Sequence, residues 1–433
     1  MTTPSEDRPP AQARAPVAQG APPSGGAPAT EEPRERHASW LELFFDLVVI
    51  AAVAQVADRL HGDPSLVDVG LAVVLYLAVW LAWTSFMLYV NVSATQTRLQ
   101  AMLAGMAGIA VMAAAIPQAT GSRATAFTLA YVATRVAGMW SWARTGQALL
   151  SWPSAQLSAG LTPWIVSLWF DPPVRYWLWG VGVLVDLVPS ILPAGDPDRL
   201  SESMRQRIRR QQQRQERRRR RWARALAPPR AGVTAARLDP SLLDERLGLF
   251  VIIVLGEAVA QVVSAAGRVD WTAGLLGAGL ASFELLVGLW WLTFRYGFTA
   301  VPHFGSGELA LRATMPTHLL TTMSITAVAA GLGGLAEHLG GDLPASQRWL
   351  LCGGLAAYFL TTGVAALLAR APARWLLVWA LPSVVAPVLV GVFGGYLPVP
   401  LLPWLLAAVV AWQIAYGLRR HALAEAGVIS GSG

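Results

Sequence analysis

Two carboxylates four residues apart, Glu42 and Asp46, lie within SWLELFFDLVVIAAVAQVADRL, residues 39–60, a stretch apolar enough to cross a bilayer. Four residues is about one helical turn, so both acids share a face. Ser39-x-x-Glu42 fits a capping box, which gives Glu42 a structural task at the helix entrance. Asp46 lies about 6 Å deeper, where no capping task remains. An acid at that depth must face protein or water, pair with a base, or hold a proton. The chemistry implied is proton or cation binding, with an interhelical hydrogen bond as the structural alternative.

SLLDERLGLFVIIVLGEAVAQVV, from Ser241, repeats the arrangement. Ser241-x-x-Asp244 is cap-like, and Glu245 and Arg246 fall in the first turn. Glu257 follows Glu245 by about 18 Å of helix, near mid-bilayer. Gly256 beside it predicts the close approach of another backbone. Glu257 is the leading site candidate. Asp186 and Glu284 are further mid-span acids, one of which Arg135 could neutralise, and Asn91 and Gln413 are embedded amides. His318, in PTHLLTTMS, reads as a hydrogen-bonded structural residue, with titration open because imidazole ordinarily changes charge near neutral pH. The Trp-rich runs WLAWTSF and LWWLTF read as packing and interfacial anchors.

The elements that must position these groups are membrane helices. Hydrophobic residues make up 54% of the 433 and charged residues 14%, against roughly 25% charge in soluble domains. Apolar runs at about 39–60, 66–91, 97–117, 124–150, 154–170, 173–194, 241–266, 271–296, 308–338, 346–370, 374–396 and 399–418 predict an all-α bundle of about twelve spans. The segments 154–170 and 173–194, broken by Pro153, Pro163, Pro172, Pro173 and Pro189, are expected to be tilted or re-entrant.

Residues 1–37, rich in Pro, Ala, Gly, Glu and Arg, are expected to be disordered and unlike a signal peptide. Residues 38–196 form a first six-helix half, 197–240 an arginine-rich connector, 241–420 a second half and 421–433 a tail. The connector reads as a cytoplasmic loop able to touch anionic lipid headgroups, with no nucleic acid expected. Arg98, Arg144, Arg295, Arg312, Arg370, Arg374, Arg419 and Arg420 fall on the same side when both termini are cytoplasmic. FFDLVVIAAVAQV (44–56) resembles LFVIIVLGEAVAQV (249–262), and LAWTSFMLYV (81–90) resembles LWWLTFRYGF (289–298). These matches, about 206 to 208 residues apart, predict two parallel repeats.

All 33 basic residues are arginine, so Schiff-base and P-loop lysine chemistry is excluded. The lone Cys352, in an apolar run, offers no intrachain disulfide and reads as a small buried residue. No GxSxG, HExxH or strand-to-helix GxGxxG is present, and no nucleophile–base pair can be placed. An enzyme is not expected, nor a cofactor or a metal.

SWLELFFDLVVIAAVAQVA and DERLGLFVIIVLGEAV resemble the two hallmark segments of the low temperature requirement protein A (LtrA) family of bacterial membrane proteins. By that resemblance the family positions are Glu42, Phe45, Asp46, Glu245, Arg246, Gly256 and Glu257, with His318 matching a histidine of the second half. The family often carries an Asn-Arg-Phe-Asp stretch after the second span; YVNVSATQTR keeps Asn91 but lacks the Arg and Asp. The resemblance implies a multi-pass protein of the bacterial plasma membrane and names no reaction. A more distant similarity is to six-helix-repeat potassium channels, where Phe44-Phe45-Asp46 stands in place of Phe-Ser-Asp.

Three functions fit. The first is a proton- or cation-coupled secondary transporter of an unnamed small solute, using Asp46 and Glu257. The second is an ion channel, and the third a non-transporting sensor or scaffold. The loop NVSATQTRLQ lacks the Gly-x-x-x-Asp-Arg pattern of the common twelve-helix sugar transporters.

Overall fold

The computed structural model describes residues 39–93, 98–149, 151–191, 234–236, 238–296, 311–368 and 375–425. The expected disordered tail, most of the arginine-rich connector and the end of the C-terminal tail lie outside them.

Helix α1 (Trp40–Asp58) starts at Ser39, whose hydroxyl accepts from the Glu42 N–H at 3.4 Å. Only half of the expected capping box forms, because the Glu42 carboxylate is committed elsewhere. A complete box caps α2 (Leu66–Val92), where Ser65 and Asp68 exchange bonds of 3.0 and 3.3 Å. Helices α3 (Arg98–Ala115) and α4 (Ala124–Thr145) follow; α4 stops at Gly146, whose φ of 65° is left-handed. A short α5 (Leu161–Val166) and α6 (Val174–Ile191) complete the first half.

The second half opens with α7 (Pro240–Ala266). Its cap is Asp239 rather than the expected Ser241, and it accepts from the Ser241 and Leu242 N–H groups at 3.1 and 3.3 Å. Pro240 sets this boundary, since its fixed φ and missing N–H suit the first helical position. Helices α8 (Ala273–Tyr296), α9 (Leu311–Glu337) and α10 (Ala345–Leu368) follow. A π turn at Leu376–Ala380 leads into α11 (Leu381–Phe393), relieving the clash that Pro382 imposes on the preceding turn. The last helix is α12 (Leu401–Glu425).

Ten helical segments among the described residues are long and apolar enough to cross a membrane. They cover ten of the twelve expected spans. Helix α4 has the length, but it carries Arg135 and Arg144 and is less apolar than the rest. The stretch 154–170 does not form one helix. It breaks into α5 flanked by 3₁₀ turns at Pro153–Ala155 and Ser167–Trp169. Its irregular backbone is tolerated because protein side chains satisfy it. Large apolar residues such as Leu280, Phe283, Leu377 and Leu389 face outward, as lipid contact requires.

In the first half α1 packs on α2 and α3, α3 on α4, α4 on α5, α5 on α6, and α2 on α6. In the second half α7 packs on α8 and α9, α9 on α10, α10 on α11, α11 on α12, and α8 on α12. The halves meet where α1 and α2 pack on α7 and α9, and where α6 packs on α9. Gly331 lets α9 close on α10: a Cβ there would sit 2.5 Å from the Leu351 nitrogen. A two-residue parallel pairing joins Gln147–Ala148 to Thr234–Ala235.

Candidate functional site

At the seam between the halves, α1 presents Glu42 and Asp46 on one face, and α7 presents Arg246 to both. Arg246 Nη1 donates to Glu42 Oε2 at 2.9 Å, and Nη2 donates to Asp46 Oδ1 at 2.7 Å. All three side chains are buried, Asp46 completely. The guanidinium fork suits this task, because it reaches two acceptors with fixed geometry. From α2, Trp83 Nε1 donates to the same Asp46 Oδ1 at 2.7 Å. The Trp83 ring stacks on His318 of α9 at 5.6 Å and packs on Phe250 at 4.3 Å. Trp80 Nε1 donates to His318 Nδ1 at 3.4 Å. Four helices from both halves thus converge on one polar cluster.

The charges do not balance. Two acids face one guanidinium, so with both ionised the triad holds one surplus negative charge. Asp46 Oδ1 accepts two donors, while the buried Oδ2 has no hydrogen-bond partner among the described residues. A buried oxygen in that state costs free energy unless something satisfies it.

Asn91 fixes where α7 begins. Its side-chain amide donates to the Asp239 carbonyl at 3.0 Å, and its oxygen accepts the Asp239 N–H at 2.7 Å. This two-point clamp sets the register of Arg246, about two turns further on. Asn91 therefore positions the triad without touching it.

Arg135 and Asp186 make the other buried pair, at 3.4 Å, as the sequence suggested. Here the charges match one to one. Asp186 Oδ1 accepts the Gly160 N–H at 2.8 Å, and Oδ2 accepts the Ser158 hydroxyl at 2.5 Å. Arg135 also donates to the Leu81 and Ser154 carbonyls at 3.1 and 2.6 Å. One cation meets one anion, and the pair pins the broken 154–170 stretch into the bundle.

Glu257 lies apart from the triad, about 16 Å further along α7 than Arg246. It is half-buried and accepts from Gln261 Nε2 at 2.9 Å. The same nitrogen donates to Asp58, at the end of α1, at 2.9 Å. Asp46 and His318 come together through Trp83; Glu257 does not join them. Because Glu42 meets Arg246 and Asp58 meets Gln261, α1 and α7 run parallel.

Other expectations need correction. Gly256 accommodates no neighbouring backbone, since a Cβ there would have open space around it. Glu245 is half-buried and takes no part in the Arg246 ion pairs. Glu284 sits on the outer face of α8 between the exposed Phe283 and Leu280, because its helical register turns it away from α7 and α12. Trp83, read as packing, is an Asp46 ligand. Asp58 went unremarked, although an acid in the last turn opposes the helix dipole and so signals another task. Among the described residues no group of three His, Cys, Asp or Glu could hold a metal ion.

The family model described as Bacterial low temperature requirement A protein (LtrA) matches residues 37–415, nearly all of the chain. The chain belongs to the LtrA family. Every residue of the triad and its surround lies within that match. A curated relative, the uncharacterized protein RA0937 of Rhizobium meliloti (strain 1021), is 28% identical over 279 residues. The match covers 62% of this LtrA chain and 60% of that relative. No solved structure matches.

Proposed function

We propose that this LtrA protein is a secondary transporter whose solute movement is coupled to a proton or cation at the Glu42–Asp46–Arg246 triad. The observation that carries this reading is that two buried acids share one guanidinium between the two halves. A seam bonded by one fork to two acids has two discrete states, joined or parted, and any ion that neutralises the surplus shifts the balance between them.

The two halves act as parallel repeats in this reading. Several contacts recur: α1 packs on α2 and α3 as α7 packs on α8 and α9, and α3 packs on α4 as α9 packs on α10, although the α2–α4 contact has no counterpart of its weight between α8 and α10. The paired α1 and α7 carry the segments of sequence similarity. Rocking of one repeat against the other separates Arg246 from α1. At the other end of the same helix pair the exposed Asp58, the half-buried Glu257 and the buried Gln261 form a second polar contact that opens to the opposite side. With the arginine bias placing both termini in the cytoplasm, the triad lies toward the cytoplasmic leaflet and Glu257 toward the far side.

Flux into vesicles carrying the purified chain tests this. A transporter shows saturable uptake that responds to an imposed ion gradient, and Asp46→Asn uncouples it. A channel, the first alternative, passes current without coupling. The complete burial of Asp46 favours a second alternative, a static staple within a sensor or scaffold. Absence of movement of any solute or ion under any gradient selects the staple.

A further inference from the structure

We infer that the species neutralising the triad is a proton, held on Asp46 Oδ2, and that the coupling ion of the proposed transport is therefore H⁺. The inference rests on the transport reading only for the word coupling; the proton site stands on the geometry of the triad.

The charge count requires one positive charge or one proton beyond Arg246. Three features reject a metal cation. Arg246 Nη2 lies 2.7 Å from Asp46 Oδ1, so a second cation on this carboxylate meets a guanidinium at close range. Trp83 points a donor, not an acceptor, at the site. Hard cations need several ligands, and among the described residues no third His, Cys, Asp or Glu joins Glu42 and Asp46 in a group that could hold a metal ion. A proton needs only one lone pair and no coordination shell.

The position follows by elimination. Glu42 sits one turn nearer the helix entrance, whereas Asp46 is completely buried and is the triad acid that carries a buried oxygen unmatched among the described residues. Its Oδ1 already accepts from Trp83 and Arg246, which leaves Oδ2 for the proton. The groups facing Asp46 are Glu42 from α1, Trp83 from α2, Arg246 from α7 and, across the Trp83 ring, His318 from α9. His318 Nδ1 accepts from Trp80, so the ring is neutral with its proton on the other nitrogen and adds no charge. Helix α3, which also packs on α1, brings no titratable residue among its described side chains. With Oδ2 fully buried, proton exchange with water requires α1 and α7 to part.

The test counts protons. Full-length protein in phosphatidylethanolamine–phosphatidylglycerol vesicles, in a Glu284→Leu background, is followed by infrared difference spectroscopy of the carbonyl stretch of neutral carboxyl groups. The parent shows one deuterium-sensitive band that Asp46→Asn removes. Glu42→Gln also removes it, because Asp46 is then matched one-to-one by Arg246. Arg246→Gln adds a second band. The parent band survives Na⁺ or K⁺ at constant pH. No band in the parent, a band that persists in Glu42→Gln, or a band cleared by Na⁺ or K⁺ at fixed pH overturns the assignment. Glu42→Gln and Arg246→Gln keep the inference open to refutation where Asp46→Asn does not fold. Correct bands without solute flux defeat transport alone, whereas coupled flux with the wrong band pattern defeats the proton alone.

Discussion

Arg246 and Asp46 are 200 residues apart in sequence and 2.7 Å apart in space. That contact ties the first half to the second through two almost fully buried side chains. Removing the cation strands two acids where water does not reach. Arg246→Met is expected to cost about 3–5 kcal/mol of stability, as for other broken buried pairs. Thermal unfolding in detergent checks this; a midpoint equal to the parent's contradicts it.

The clamp of Asn91 on Asp239 makes a separate forecast. Asn91→Ala leaves a backbone N–H and a carbonyl at the start of α7 without partners, at about 1–3 kcal/mol. Asp239→Ala removes the cap itself and is expected to cost about 1 kcal/mol, while Asp239→Asn preserves it. Unfolding midpoints should therefore rank Asp239→Asn above Asp239→Ala. Amide hydrogen exchange should quicken first in the opening turn of α7. Equal exchange throughout α7 in the parent and Asn91→Ala argues that the register of Arg246 is set elsewhere.

Arg135 and Asp186 differ from the triad in being fully matched, and the difference is measurable. Asp186→Asn or Arg135→Met alone leaves one buried charge unpaired and costs about 3–5 kcal/mol. The double change Arg135→Met with Asp186→Leu removes both charges and should cost markedly less than the two singles summed. A double change as damaging as that sum assigns the cost to the Gly160, Ser158 and Ser154 bonds instead. Flux per folded molecule should be unaffected by the double change, since the pair holds the 154–170 stretch in place without exchanging anything.

What was legible in sequence followed from physics that acts locally. Glu42 and Asp46 stood out because lipid rejects acids at any position, and Arg135 because a base at that depth must meet an acid. The partner of Asp46 was harder. Arg246 reads as a first-turn residue beside Glu245, and nothing in its neighbourhood specifies a bond to a helix 200 residues away. The depth of Glu257 was visible, but its facing was not: its register relative to Arg246 turns it toward Gln261 and Asp58. Trp83 was hidden for another reason. An indole serves equally as filler or as donor, and only the approach of α1 decides which. The break at 154–170 was foreshadowed by its prolines, while its anchor, Asp186, declared only that it needed a partner.

Glu284 supplies the remaining forecast. It lies near the middle of α8, about 16 Å from either end, too far for a short acid to reach water. It faces outward among Leu280, Phe283 and Val287. A carboxylate held there against lipid costs on the order of 3 kcal/mol. No group in the triad or in the Gln261 contact depends on it. Glu284→Leu should therefore insert normally, unfold at a higher temperature than the parent and move solute at the parent's rate. Cysteine cross-linking along the exposed positions of α8, in a Cys352→Ala background, should give the same pattern with and without the change. A lower midpoint, or cross-links between copies that vanish with Glu284→Leu, would show instead that another protein surface covers this acid and that the outer face of α8 is an interface rather than a lipid wall.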